Sequence, residues 1–205
     1  MQLINTYYVG HLNNAALLAG VGMGNMLINV LAYSIMQGLN GSIETLVSQS
    51  YGASKNEMKS DRYRVDMKQK CGQIFNRGRF VVTVVMIPII IIFALSDKIL
   101  VGLGQDPQVS HISRVYVTIL IPGVWALGQF DATKRFLSAQ YSTDIPVWTQ
   151  LVTTILHFFW CWLFIWKLDG KEKGAALATN ITWILNMLIA DVTIRYKKMQ
   201  GDPDL

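Results

Sequence analysis

Long runs of apolar residues without formal charge dominate this chain. No Lys, Arg, Asp or Glu precedes Glu44, and four further charge-poor stretches follow it. A membrane-spanning helix needs about 20 mostly apolar residues to cross about 30 Å of hydrocarbon. The pattern therefore predicts an all-α membrane protein, with spans at about 14–51, 79–96, 109–136, 146–166 and 174–194.

The ends of the chain complete this layout. Residues 1–9 are mostly apolar, but as a helix they would rise only about 13 Å. Since that is too short to cross a membrane, we interpret them as the remnant of a first transmembrane helix. Residues 10–198 then form the bundle, and we expect 199–205 to be a frayed tail.

The composition supports a membrane environment. Apolar residues make up 52% of the chain and charged residues 15%, whereas about a quarter of the residues in a soluble domain are charged. In water, five such helices would leave too little polar surface to cover the outside of the molecule. We therefore expect the lipid bilayer to be the partner of the apolar faces.

The formal net charge of +5 suggests a nucleic-acid partner at first sight. The basic residues, however, crowd between the apolar runs, which is how membrane proteins set their orientation. We therefore expect no nucleic-acid partner. The hydrophilic segment 53–79, which we interpret as a loop, and the basic residues at 195–198 should both lie on the cytoplasmic side.

Polar residues recur at intervals of four along the first span. One series, called the polar stripe below, consists of Asn25, Asn29, Tyr33 and Gln37, and a second consists of Asn40, Glu44 and Ser48. Because a polar group in lipid is costly, we expect both series to face inward and Ile28 to face lipid. The stripe either lines a solute pathway or supplies hydrogen bonds between helices, and its spacing fits both.

Two acidic residues, Glu44 and Asp131, are expected at membrane depth, where either could bind a cation or a proton. Asp131 precedes Lys134 and Arg135 by three and four residues, a spacing that predicts a local ion pair. Glu44 has no basic residue within one turn, so it is the better candidate, although a pair with the 53–79 segment is possible.

Other polar and small residues have structural interpretations. We expect Asp191 to pair with Arg195 at the membrane boundary, and His157 to be a packed side chain rather than a proton relay. Gly20 and Gly24 form a GxxxG pattern, which allows close approach of helices.

The sequence offers no sign of an enzyme. The two cysteines lack metal-ligand spacing, and we find no nucleophile paired with a base, no phosphate loop and no cluster of metal ligands. We therefore expect no catalytic residue, no cofactor and no metal site.

Seven short motifs resemble, in order, those of the multidrug and toxin extrusion (MATE) transporters, and most closely the eukaryotic branch. They extend over nearly the whole chain, and seven in order are specific where one alone is weak. The motifs are YVGHL at 8–12, ETLVSQSYGA at 44–53, RGR at 77–79, QDP at 105–107, IPG at 121–123, KRFLSAQ at 134–140 and GAALAT at 174–179.

The resemblance implies the N-terminal six-helix bundle of a transporter with two such bundles, here with its first helix truncated. It also implies a secondary active antiporter that exports organic or xenobiotic compounds, often cationic, in exchange for protons or sodium. The implied partners are these solutes, the coupling ion and a second six-helix bundle that this chain does not contain.

The chain departs from the family pattern in its extent and in one segment. In eukaryotic relatives the key coupling acids lie mainly in the second bundle, so no residue here can inherit that role, and the 53–79 segment carries an insert around 63–71. Since alternating access needs two units, we expect the chain alone not to transport. A non-transporting membrane interaction protein, or an inactive transporter fragment, stays open as the alternative.

Overall fold

The computed structural model describes residues 1–12 and 14–199, the side chains of 197–199 excepted. Within these residues the chain forms eight α-helices and two π-helical segments. The helices are α1 (Gln2–Gly10), α2 (Ala15–Leu27), α3 (Ser34–Ser54), α4 (Asp61–Ala94), α5 (Ser96–Gly102), α6 (Pro107–Ser138), α7 (Asp144–Cys161) and α8 (Lys171–Met199). The expected tail at 199–205 lies outside the described residues beyond Met199.

Five helical stretches of the described chain are long and apolar enough to cross a membrane, which confirms the predicted number of spans. The π-helical segment Ile28–Tyr33 joins α2 and α3 into one helix, and Trp162–Lys167 extends α7. The five stretches are Ala15–Ser54, Asp61–Ala94, Pro107–Ser138, Asp144–Lys167 and Lys171–Tyr196.

The interpretation of 53–79 as a loop is wrong for most of its length. Helix α4 begins at Asp61 instead of near 79, and the Ser60 hydroxyl caps it by accepting a hydrogen bond from the Tyr63 amide. The segment contains no proline to break a helix, and it buries Cys71. Because 34 residues rise about 50 Å, the polar part of α4 extends beyond the hydrocarbon.

Helix α6 is the centre of the bundle, since α2, α3, α4, α5 and α8 all pack against it. Close approach of α2 depends on two glycines. A Cβ on Gly20 would lie 2.5 Å from Ile112 Cγ2, and one on Gly24 would lie 2.6 Å from Tyr116 Cδ1. The interpretation of the GxxxG pattern as a packing surface is confirmed.

A proline inside α6 is compensated by a neighbouring helix. Pro122 has no amide hydrogen, and its ring disturbs the helical hydrogen bonds around it. The side chain of Asn180 on α8 accepts a hydrogen bond from the Gly123 amide at 2.8 Å and donates one to the Ile119 carbonyl at 2.6 Å. The Asn180 side chain thus bonds both the Gly123 amide and the Ile119 carbonyl, which would bond each other in a regular helix. Backbone polar groups within a membrane need such a partner inside the protein.

We expect Gly24→Ala to lower the stability of the chain by about 1–3 kcal/mol, because the added methyl group would overlap the Tyr116 ring. Gly22, two residues earlier, has open space around its Cβ position and provides the control. Gly22→Ala should be neutral or stabilising by up to about 1 kcal/mol. Unfolding of both variants in detergent micelles checks this, and equal effects would contradict the packing role of Gly24.

We also expect Asn180→Leu to cost about 2 kcal/mol or more, since it leaves a buried backbone donor and a partly buried acceptor unpaired. In a Pro122→Ala background the same substitution should cost clearly less, because the helix can restore its own Gly123–Ile119 bond. A double-mutant cycle on the unfolding free energy measures the difference. If the cost is the same in both backgrounds, Asn180 does not compensate for the proline.

Candidate functional site

The polar stripe runs through the π-helical segment of the first span. In an α-helix a step of four residues advances about 40° beyond a full turn, so such a stripe drifts around the axis. The segment Ile28–Tyr33 has i→i+5 hydrogen bonding and therefore more residues per turn. It offsets part of the drift and keeps Asn29 and Tyr33 closer to one line.

The members of the stripe have different surroundings. The hydroxyl of Tyr116 donates to Asn25 Oδ1 at 3.0 Å, so Asn25 links α2 to α6. Asn29 forms an amide pair with Gln2 of α1, with Gln2 Nε2 at 3.0 Å from Asn29 Oδ1. Tyr33 is half-buried and Gln37 is exposed.

Ile28 does not face lipid as expected, because it is 1% exposed and belongs to the central core. It continues the buried series Leu17, Val21 and Gly24 at α-helical spacing, which places it on the packed face of the first span. Val30, by contrast, is exposed on the same segment.

A charged cluster joins α3 to α6 at one end of the bundle. Arg135 donates from Nε to Asp131 Oδ2 at 3.0 Å and from a terminal nitrogen to Glu44 Oε2 at 2.9 Å. Lys134 Nζ lies 3.4 Å from the other oxygen of Asp131. The predicted local pairs of Asp131 are confirmed. Glu44 is also paired, with a residue of α6 rather than of the 53–79 segment.

Asn40 completes this cluster from the inside. It is 0% exposed, and its amide nitrogen donates to Asp131 Oδ2 at 3.0 Å and to the Gly128 carbonyl at 3.1 Å. Asp131 is therefore held by two cations and one amide, while Arg135 neutralises the half-buried Glu44. In this arrangement the carboxylates of Glu44 and Asp131 hold α3 against α6.

A second ion pair joins α4 to α8. Arg79 donates to Asp191 Oδ2 at 2.8 Å and to Gln129 Oε1 at 2.7 Å. Gln129 in turn donates to the Arg79 carbonyl and to Thr83 Oγ1, both at 3.1 Å. Asp191 thus pairs with Arg79 and not with Arg195 as expected, because the nearest cation in space comes from another helix.

Sequence reasoning missed a buried polar network that ties α1, α7 and α8 together. His157 is 0% exposed, with Nδ1 2.8 Å from Thr182 Oγ1 and Nε2 3.1 Å from Asn5 Oδ1. Asn5 also donates to Thr179 Oγ1 at 2.7 Å. The interpretation of His157 as a packed side chain is confirmed. The spacing of Thr179 and Thr182, three residues apart on one side of α8, is the signal that could have revealed this network.

The described part of the chain contains no group of three or more His, Cys, Asp and Glu side chains arranged to hold a metal ion. The helices of the bundle are held together by ion pairs and side-chain amide hydrogen bonds. A partly exposed polar stripe runs along the first span.

Comparison with known proteins gives relatives over nearly the whole chain. A sequence model of the family described as MatE matches residues 1–163. Protein DETOXIFICATION 16 of Arabidopsis thaliana is 31% identical over 196 residues, and Protein DETOXIFICATION 15 of the same plant is 29% identical. In both, the match covers 96% of this chain and 38% of the relative, so the chain spans well under half of their length.

Solved structures agree with the fold. The crystal structure of the eukaryotic MATE transporter AtDTX14 matches with a TM-score of 0.83 and 25% identity, over 95% of this chain and 40% of that protein. An inward-facing multidrug resistance MATE family transporter of the MOP superfamily matches in fold alone, with a TM-score of 0.70 and 16% identity over 93% of this chain and 41% of that protein. Since the family match extends over most of the sequence, the chain belongs to the MATE family and is a multi-pass membrane protein with the fold of that family's N-terminal half.

Proposed function

We propose that this bundle forms one half of a secondary transporter that exports organic, often cationic, compounds in exchange for protons or sodium ions. Its similarity to the eukaryotic MATE transporter AtDTX14 and to Protein DETOXIFICATION 16 supports the proposal. Members of this family are transporters rather than enzymes. A second bundle would lie against this one, and alternating access would occur by rocking of the two about a solute held between them.

The exposed part of the polar stripe is the observation that carries this proposal. Gln37 is exposed on a membrane span, and the Gln2–Asn29 amide pair also lies in an exposed environment. Because a polar group that meets lipid is costly, we place this surface against water or the second bundle. A surface with a few amide and phenol groups among apolar ones suits amphipathic solutes, since such sites use few polar groups to orient a ligand.

The cluster of Asn40, Glu44, Asp131 and Arg135 has a different role in this proposal. Its carboxylates already bind Arg135 and Lys134, so ion coupling does not depend on them. They hold α3 against α6, which lets the bundle move as one body while the solute pathway opens along the neighbouring polar stripe.

We expect the 205-residue chain, reconstituted alone in liposomes, to give no saturable flux of a fluorescent organic cation under a proton or sodium gradient. A chimaera in which it replaces the matching 40% of AtDTX14 should transport, because it supplies both bundles. The same chimaera with Glu44→Gln should transport within about two-fold of it, since the partly exposed pair with Arg135 contributes little.

Unaltered AtDTX14 is the control for this experiment. Saturable flux from the chain alone, inhibited by a competing cation, would contradict the requirement for two bundles, and loss of flux in the Glu44→Gln chimaera would make Glu44 a coupling residue. A folded chimaera without flux would instead favour a non-transporting interaction protein.

In the same chimaera we expect Gln37→Leu to lower the apparent affinity for the organic cation by about ten-fold, the loss typical of a hydrogen bond to a charged group. The unfolding midpoint should not fall, because Gln37 is exposed. Val30→Leu, at another exposed position of the same span, is the matched control and should transport normally. Unchanged flux kinetics for Gln37→Leu would show that the stripe does not line the solute pathway.

A further inference from the structure

Helix α4 presents one continuous exposed side where it enters the membrane. Six exposed residues follow one another there at steps of seven, three or four, the spacing that places side chains on one side of a helix. We call them the outer face of α4, and they are Lys70, Arg77, Phe80, Val84, Ile87 and Ile91. The opposite side packs into the bundle, since Cys71, Val82 and Met86 are buried.

The outer face changes from charged to apolar at one level. Lys70 and Arg77 lie in the polar part of the helix, and an uncharged apolar run begins at Phe80. Phe80 is 69% exposed and Ile87 59%, as expected for side chains that meet acyl chains. Because Arg77 precedes Phe80 by only about 5 Å along the axis, its side chain lies at the level of the lipid headgroups.

Both cations of the outer face are unpaired within the described part of the chain. Neither the Lys70 nor the Arg77 side chain forms an ion pair or a hydrogen bond there. Asp66, four residues before Lys70, is exposed and forms no ion pair with it. Two positive charges, about 10 Å apart along the axis, are therefore available to an anion on this side of α4.

The order of the two parts decides which anion fits. A soluble anion would neutralise the cations but would leave the apolar part uncovered. An anionic phospholipid serves both, because its headgroup and its acyl chains follow each other along the membrane normal in the same order as Arg77 and Phe80. Anionic lipids are concentrated in the cytoplasmic leaflet, where basic residues beside a span attract them, and we expect the polar part of α4 on that side.

We propose that the outer face of α4 binds an anionic phospholipid of the adjoining leaflet. Arg77 binds its phosphate, Lys70 attracts the outer part of its headgroup, and its acyl chains lie along the apolar residues from Phe80 to Ile91. No residue of the polar stripe belongs to this site, which depends neither on solute export nor on a second bundle.

The test measures lipid selectivity at the outer face itself, with the full 205-residue chain in bilayers. Val84→Cys introduces a site for a fluorescent label at a 44% exposed position, whereas the native cysteines, Cys71 and Cys161, are buried. Phosphatidylserine is mixed with phosphatidylcholine, and either one carries brominated acyl chains, which quench the label on contact. The two quenching curves give the preference for phosphatidylserine at this position.

A matched control position lies on α7. Leu151→Cys is 52% exposed and follows the start of α7 at Asp144 by seven residues, as Val84 follows Arg77. Helix α7 begins at the same end of the bundle as the polar part of α4, because Phe136 near the end of α6 stacks on Phe75. No Lys or Arg occurs in α7 before Lys167, so Leu151→Cys reports a surface without cations.

At Val84→Cys we expect a preference for phosphatidylserine of about five-fold or more, since one basic residue near an anionic headgroup contributes about five-fold. Arg77→Gln and Lys70→Gln should each lower this preference by up to about five-fold. Arg62→Gln removes the same charge from the same helix about 12 Å beyond Lys70. It should change the preference by less than about two-fold, because charges separated by more than about 10 Å are largely screened.

A preference at Val84→Cys that Arg77→Gln lowers and Arg62→Gln leaves in place supports the site. Equal preferences at Val84→Cys and Leu151→Cys, or equal effects of Arg62→Gln and Arg77→Gln, would overturn it. If neither lipid quenches the label, protein covers the outer face and the proposal fails as well. Should Val84→Cys prove unstable, Ile87→Cys offers a second exposed position on the same face.

Discussion

Every polar group inside a bilayer has to find its partner within the protein, and helix α6 concentrates this requirement. Asn180 forms hydrogen bonds with the backbone of α6 beside Pro122, and Asn40 donates to the Gly128 carbonyl of α6. The side chain of Gln129, on α6, accepts a hydrogen bond from Arg79. Each of these partners belongs to a different neighbouring helix. Apolar packing and these hydrogen bonds together position the helices around α6. Without these partners the polar groups of α6 would be left unpaired in lipid.

The bundle therefore has one part in which ion pairs and hydrogen bonds hold the helices together, and another in which polar side chains make few contacts. The ion pairs of Arg135 and Arg79 and the network around His157 hold α1, α3, α4, α6, α7 and α8 together. The polar stripe lies beside these contacts, and its side chains make fewer hydrogen bonds to other helices towards Gln37. A half-transporter in this proposal needs both properties, namely a body that keeps its shape and one face that can exchange partners.

The sequence predicts the spans well because hydrophobicity is a local property that a run of 20 residues records. It predicts partners across the bundle poorly. Glu44 and Arg135 are 91 residues apart, and Arg79 and Asp191 are 112 apart, so no helical period relates them. The local pairs of Asp131 could be predicted because they lie within one turn. The polar beginning of α4 escapes prediction for another reason. Outside the bilayer a helix need not be apolar, so only the Ser60 cap and the absence of proline indicate where α4 begins.

The unbroken course of α4 across the membrane boundary has a mechanical consequence. No turn or proline interrupts it between Asp61 and Ile87, and Pro88 follows only within its span, so the polar part and the first part of the span cannot tilt independently. Over the length of this part, about 40 Å, a tilt of about 5° displaces one end relative to the other by about 3–4 Å. A small reorientation of α4 within the bilayer therefore becomes a larger displacement of its polar end at the aqueous surface.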